Sequence, residues 1–325
     1  MEIPGFRTGH ATDLKGATGI TVVLCESGAV CGLDVRGGGS SLRNPTVAWP
    51  GHRVEKVHAV FFAGGSSYGL DAGGGVMHYL ERRGIGFAVR GIKIPIVTGA
   101  ILFDLGVGNP RRRPDQAMAH RACTKARAGR CAEGSVGAGT GASVGKYFGV
   151  FRGMKGGVGT ATLRSGALRV GALAVVNAFG DVRDPATGEI LAGARDSARG
   201  HRLLALEATL RRSAASSPGR AARTGAPQGG DSTTLGLIAT NAALTREQAC
   251  RLATASQVAL ARCLSPAHTS NDGDLVYALS HGKLRVDPLV LEALAVEALT
   301  QSILRAVRRA KGLAGIPGRQ DLGMD

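Results

Sequence analysis

The residues with the clearest chemical potential stand beside short apolar runs: Ser232-Thr233-Thr234 before LGLIAT, Lys155 in MKGG, Asn177 in VVNAFGD, and Asp272 and Asp274 in HTSNDGD. A hydroxyl is a poor nucleophile unless a neighbouring base takes its proton. A cut just before Thr233 would give that residue both a hydroxyl and a free α-amine, whose reference pKa is about 7.7–8.0. The amine then serves as base near neutral pH, directly or through one water, and no histidine is needed. The Asn177 amide is the candidate donor to the oxyanion of a tetrahedral intermediate. Lys155 suits two tasks, holding the amine neutral by like-charge repulsion or donating a hydrogen bond. Asp272 and Asp274, two apart on an extended segment, are predicted to face one side. One would anchor the new ammonium while the other orients the Thr233 hydroxyl or Lys155. The cut would use the same hydroxyl, whose attack on the Ser232 carbonyl gives an ester by N-to-O acyl shift for water to hydrolyse. The scheme uses no metal and no cofactor.

These groups must be positioned by the elements around them. The stretch 213–231, SAASSPGRAARTGAPQGGD, is rich in Ala, Ser, Gly, Pro and Arg without apolar periodicity and is predicted to be a flexible exposed loop. A strand over 233–240 follows at once, so a cut at this boundary leaves the core intact and its new end held by a strand. Other strands are predicted over 172–178 and 275–279, and a hairpin pair over 19–25 and 29–35, with a buried strand over 57–63. Helices are predicted over 70–83, 115–129 and 197–212. A helix over 245–264 opens with the capping box Thr245-x-x-Gln248. Another over 287–310 has Asp287 as N-cap and Pro288 in its first turn. The tail 312–325 is predicted to be loose. Strands mixed with amphipathic helices indicate a layered α/β (α+β) protein in a single domain.

Composition narrows the function classes. At 325 residues with 44% apolar and 20% charged residues, the chain has the balance of a globular enzyme with a substantial core. No apolar run reaches the roughly 18 residues of a membrane helix. The start MEIPGFRTGHATD lacks a basic region followed by an apolar stretch, so a cytoplasmic protein without a signal peptide is expected. The six cysteines form no C-x-x-C and are expected to be free thiols, mostly buried. The net charge of +16 comes largely from 111–130, 211–223 and 305–311. Aromatics, at 4%, do not interleave with these basic residues, so a solvated basic surface is expected and nucleic acid is not a favoured partner. GASVGK at 141–146 lacks the glycine and hydroxyl positions of a phosphate loop, with Thr140 and Tyr147 in their places. His10, His58 and His78 are expected to be structural, and His268 a hydrogen-bonding neighbour of the aspartate pair.

Together with PGFRTGHATD, GLDVRGG and HAVFFAGGSSYGLDAGGGVMHYLERRGIGF, these blocks resemble the L-aminopeptidase/D-esterase (DmpA-like) family over roughly residues 3 to 280. That family includes β-peptidyl aminopeptidases and the nylon-oligomer hydrolase. The resemblance implies a proenzyme cut at 232/233 into chains 1–232 and 233–325, with Thr233 as nucleophile and Lys155, Asn177, Asp272 and Asp274 as its companions. It further implies a four-layer αββα sandwich, a homotetramer, and hydrolysis of small peptides or amide oligomers by an aminopeptidase-like amidase. The D-G-D form of the last motif favours the nylon-hydrolase-like branch. Ser232 stands where that branch has Asn, and a cut after Asp231 exposing Ser232 is the competing site. SSLRNPTV at 40–47 stands where relatives carry a G-T-R-E-like run. Two rival readings remain: an acyltransferase of the ornithine-acetyltransferase kind, and a basic binding protein that never processes.

Overall fold

The computed structural model describes residues 1–216 and 232–324. Its main sheet has nine strands: β1 (Arg7–Asp13), β2 (Thr18–Val35), β3 (Leu42–Arg43), β4 (Lys56–Ala63), β5 (Val97–Ile101), β6 (Gly157–Ser165), β7 (Leu168–Asn177), β8 (Thr233–Ala242) and β9 (Leu275–Leu284). They lie in the order β6-β7-β8-β9-β2-β4-β5-β3, with β1 beside β2. The pairs β8/β9 and β4/β5 are parallel. Among the described residues five α-helices accompany them: α1 (Ala72–Glu81), α2 (Gln116–Lys125), α3 (Leu206–Ser216), α4 (Arg246–Cys263) and α5 (Pro288–Arg308).

Tyr277 in β9 and Thr98 in β5 are three strands apart in this order, which is about 14 Å in a flat sheet. Their hydroxyl oxygens are 2.9 Å apart. The sheet is therefore folded over, with its two halves facing each other across a shared core. Strand alternation fills this core. Leu173 and Val175 of β7, Leu235 and Leu237 of β8, and Leu275 and Tyr277 of β9 point inward beside Phe62 and Val23. The residues between them, such as Ala172, Ala174 and Val176, turn outward under α4 and α5. On the other outer face α1 and α2 cover Ile20, Val22, Ala59 and Phe61. The four αββα layers are as expected, but the two inner layers are halves of one continuous sheet.

Four local expectations need correction or restriction. The predicted hairpin over 19–35 is the single strand β2. Residues up to Leu24 pair with β1 and β4, β4 pairing resumes at Ala29 and Val30, and Val30 to Val35 pair with β9, so both halves of the sheet share it. Leu24 pairs with Ala59 and Ala29 with Val57, leaving residues 25–28 opposite His58 alone. Ser27-Gly28 marks this bulge, with Gly28 at φ +83, and resembles a turn signal in sequence. The helix predicted from 197 begins only at Leu206. Ahead of it Ala194–Arg195 pairs with Leu203–Leu204. The buried Arg195 guanidinium donates to the carbonyls of Phe151, Gly153, Ala198 and Gly200, which holds that segment out of helix. Of the loop predicted over 213–231, residues 213–216 belong to α3 and the rest lies outside the described residues. The tail to 324 is packed. Ile316 is buried, Arg319 donates to the Leu191 carbonyl at 3.0 Å, and the Asp321 carboxylate accepts from the amides of Gly312 and Gly318, both at 2.7 Å.

The caps form where the sequence places them. Thr245 and Gln248 complete their capping box, and Asp287 accepts from the Leu289 amide. All six cysteines are free thiols. Among the described residues no helix is long and apolar enough to cross a membrane.

Candidate active site

Three strand ends build the site. Asn177 closes β7 and pairs with Thr233, the first residue of β8. Because β9 runs parallel to β8 with Leu275 opposite Leu235, the segment before β9 runs beside the segment before β8. Ser232 accordingly bridges to Asp272. Ser232, Thr233, Asn177, Lys155, Asp272 and Asp274 are all buried.

The carbonyl between Ser232 and Thr233 is held from two sides. The Thr233 hydroxyl donates to it at 2.5 Å, and the Gly273 amide donates to it at 2.8 Å. The hydroxyl that would attack therefore already touches the group it would attack, and a backbone N–H lies where oxyanion charge would develop. Gly273 was not singled out in the sequence, although its place between two aspartates is a signal. A Cβ there would lie 2.8 Å from the Thr233 Oγ1 and 3.0 Å from the Gly39 carbonyl oxygen. Gly273→Ala is expected to push the Asp272–Asp274 segment off the Ser232 carbonyl and, on the expectation of a cut at 232/233, to slow that cut at least about tenfold, the cost of a weakened charge-stabilising hydrogen bond. Intact mass followed over time checks this; cleavage at the parental rate would sink the role given to that amide.

Both carboxylates hold backbone rather than the groups expected. Asp272 accepts from the Phe179 amide at 3.1 Å and from the Thr269 hydroxyl at 2.6 Å. Asp274 accepts from the Thr234 amide at 2.7 Å and from both the amide and Nδ1 of His268 at 3.1 Å. Neither bonds to Lys155 or to the Thr233 hydroxyl. Their positions clamp the strand ends on either side of Ser232-Thr233, and His268 is the neighbour expected. Burial, then the charge of Asp274, raises the Asp272 pKa.

Lys155 lies on the short strand Met154–Lys155, paired with Ser143–Val144. Its ammonium donates to the carbonyls of Thr140 and Ala142 at 2.7 and 2.6 Å, not to Thr233. Burial brings its pKa down to about 7, with Lys146 adding to the fall and Asp104 opposing it. The next turn contributes a second buried cation that the sequence reading passed over, Lys146, whose ammonium donates to the Asn177 carbonyl at 2.9 Å. The Asn177 side chain accepts from the Ser143 amide at 3.0 Å and donates to the Phe103 carbonyl at 3.2 Å. Lys155 and Asn177 are thus joined through Ser143 into one block against the start of β8. A separate large cavity between α1 and α2 is lined by His78, Glu81 and His120, none of which belongs to this cluster.

The pattern of Peptidase family S58 matches residues 1–321. An uncharacterized aminopeptidase of Mycobacterium bovis is 38% identical, with 99% of this chain and 96% of that protein aligned. A 6-aminohexanoate-oligomer endohydrolase of Kocuria sp. is 31% identical over 95% of this chain and 85% of its own length. Among solved structures, a Burkholderia sp. beta-aminopeptidase superposes with a TM-score of 0.68 at 22% identity, covering 98% of this chain and 90% of that one. The L-aminopeptidase D-Ala-esterase/amidase of Ochrobactrum anthropi, described as a variant of the Ntn hydrolase fold, superposes at 0.69 with 18% identity, covering 98% and 88%.

Proposed function

The chain belongs to peptidase family S58 and is a hydrolase of peptide or amide bonds, and from that premise we propose that it matures by cutting itself between Ser232 and Thr233 and then works through the Thr233 hydroxyl. The observation that carries the proposal is the double grip on the Ser232 carbonyl by the Thr233 hydroxyl and the Gly273 amide. In the first step Oγ1 attacks this carbonyl carbon while the Gly273 N–H supports the oxyanion. The C–N bond to Thr233 breaks, its nitrogen takes the hydroxyl proton, and Ser232 is left as an ester on Oγ1. Water hydrolyses that ester, releasing the Ser232 carboxylate and freeing both hydroxyl and amine of Thr233. The amine, held across from Asn177 by the strand pairing, then serves as base for the same hydroxyl in each turnover. Substrate acyl groups pass through a Thr233 ester, with the Asn177 amide and the Gly273 N–H as oxyanion donors.

The site has no expected role for the Ser232 hydroxyl, because the grip is on the carbonyl after it; the cut falls at 232/233 and not after Asp231. Lys155 acts by its charge, raising the cost of protonating the amine, rather than by bonding to Thr233. The substrates that fit this reading are short peptides with a free amino terminus and linear amide oligomers, the chemistry named for its relatives. We include in the proposal a cytoplasmic homotetramer, which light scattering of the purified protein would check.

Intact-mass spectrometry of purified protein is expected to show two fragments, the smaller beginning at Thr233 by stepwise degradation. A chain that stays whole on long incubation, or a fragment starting elsewhere, would sink the proposal. Partition of the acyl-enzyme to ornithine instead of water would convert the reading to the acyltransferase.

A further inference from the structure

The corner that follows β5 touches both halves of the block just described. Phe103 supplies the carbonyl that accepts from the Asn177 amide. The next residue, Asp104, is buried, and its carboxylate accepts from the Thr18 hydroxyl at 2.6 Å and the Gly65 amide at 2.7 Å. Asp104 packs on Gly141, where a Cβ would lie 2.5 Å from the Asp104 Cβ and 2.9 Å from its Oδ2. Gly141 sits between Thr140 and Ala142, whose carbonyls hold the Lys155 ammonium. An aspartate is an expensive choice for a buried corner if its only task is to tie down a turn, since burial disfavours the charge.

We propose that Asp104 is a positioning residue of the active site, its carboxylate buttressing the Gly141 turn that cradles Lys155 and setting the charge of that lysine, while the Phe103 carbonyl beside it aims the Asn177 amide. The inference rests on the reading of Thr233 as nucleophile. The electrostatics agree with it. Burial pushes Asp104 up to about 6, against the pull of its hydrogen bonds and of Lys155. Of the charges that bear on Lys155, Asp104 raises its pKa and Lys146 lowers it. Removing the negative charge leaves burial and Lys146 unopposed, so Lys155 loses its proton at lower pH.

Asp104→Asn isolates this effect. The amide keeps the shape, its oxygen still accepts from the Gly65 N–H, and its nitrogen donates to Thr18 in place of the reverse. The experiment follows hydrolysis of an aminoacyl p-nitroanilide by the fully cut protein across pH 5–9 in the parent, in Asp104→Asn and in Thr18→Val, with intact mass and thermal melts of each. In Asp104→Asn the rate limb near neutrality is expected to move about one pH unit towards acid, the low end for an opposite charge nearby. Thr18→Val keeps the carboxylate but removes a hydrogen bond that favours its charge, and is expected to move the limb the same way by a smaller step. A folded Asp104→Asn whose limb coincides with the parent, or which fails to cut at any pH, overturns the inference. A parental fragment that does not begin at Thr233 instead overturns the nucleophile assignment, so the two failures are told apart.

Discussion

Thr233→Ala is expected to leave a single full-length chain with no measurable amide hydrolysis. The same oxygen performs both reactions in the proposed scheme, so its removal abolishes maturation and turnover together. Alanine fits the buried start of β8, and the strand pairing with β7 and β9 depends on backbone groups that the substitution leaves in place. The protein should fold, with a melting temperature close to that of an uncut parental chain. The expected loss in hydrolysis of an aminoacyl p-nitroanilide is about 10⁴-fold or more, the scale on which a covalent nucleophile contributes. Thr233→Ser keeps a hydroxyl and is expected to cut and to turn over more slowly. Should Thr233→Ala yield the same two fragments as the parent, another residue performs the cleavage and the assignment is wrong.

Asn177→Ala carries the second largest expectation. Its carboxamide stands across from Thr233 in the strand register, and two backbone bonds, from Ser143 and to Phe103, set its orientation. Losing one oxyanion donor reduces turnover by about 10²–10³-fold. The substitution also leaves the buried Ser143 amide without this acceptor, which costs about 1–3 kcal/mol of stability. Both effects are therefore expected in one variant: a modestly lowered melting temperature and a greatly lowered kcat. They separate because the lost stability does not slow molecules that remain folded. Turnover per folded, fully cut molecule equal to the parent would remove Asn177 from the oxyanion role and leave it as a strut between the Lys155 block and β5.

Much of the frame was legible in the sequence. The short, near-continuous apolar runs of β7, β8 and β9 mark strands with both faces covered, since apolar residues occupy both sets of alternate positions. Thr245-x-x-Gln248 and Asp287-Pro288 mark helix starts because a capping side chain acts on amides two or three residues away. Two misreadings share a cause. Ser27-Gly28 signals a turn, yet β2 continues because β4, β9 and β1 compete for its backbone groups. The 197–205 segment has helical composition, yet the Arg195 guanidinium claims its carbonyls.

The sequence alone determined the chemical inventory: a hydroxyl ahead of a strand, a lysine, an amide and two aspartates, with the family pattern that orders them. Only the tertiary structure decided what each touches. The Gly273 amide on the Ser232 carbonyl, the aspartates on the amides of Phe179 and Thr234, and the Asp104 corner behind Lys155 all join segments far apart in the chain. Propensity and periodicity act over a few residues, whereas a hydrogen bond between strand ends depends on which strands become neighbours and in what register, and the folded-over sheet sets both.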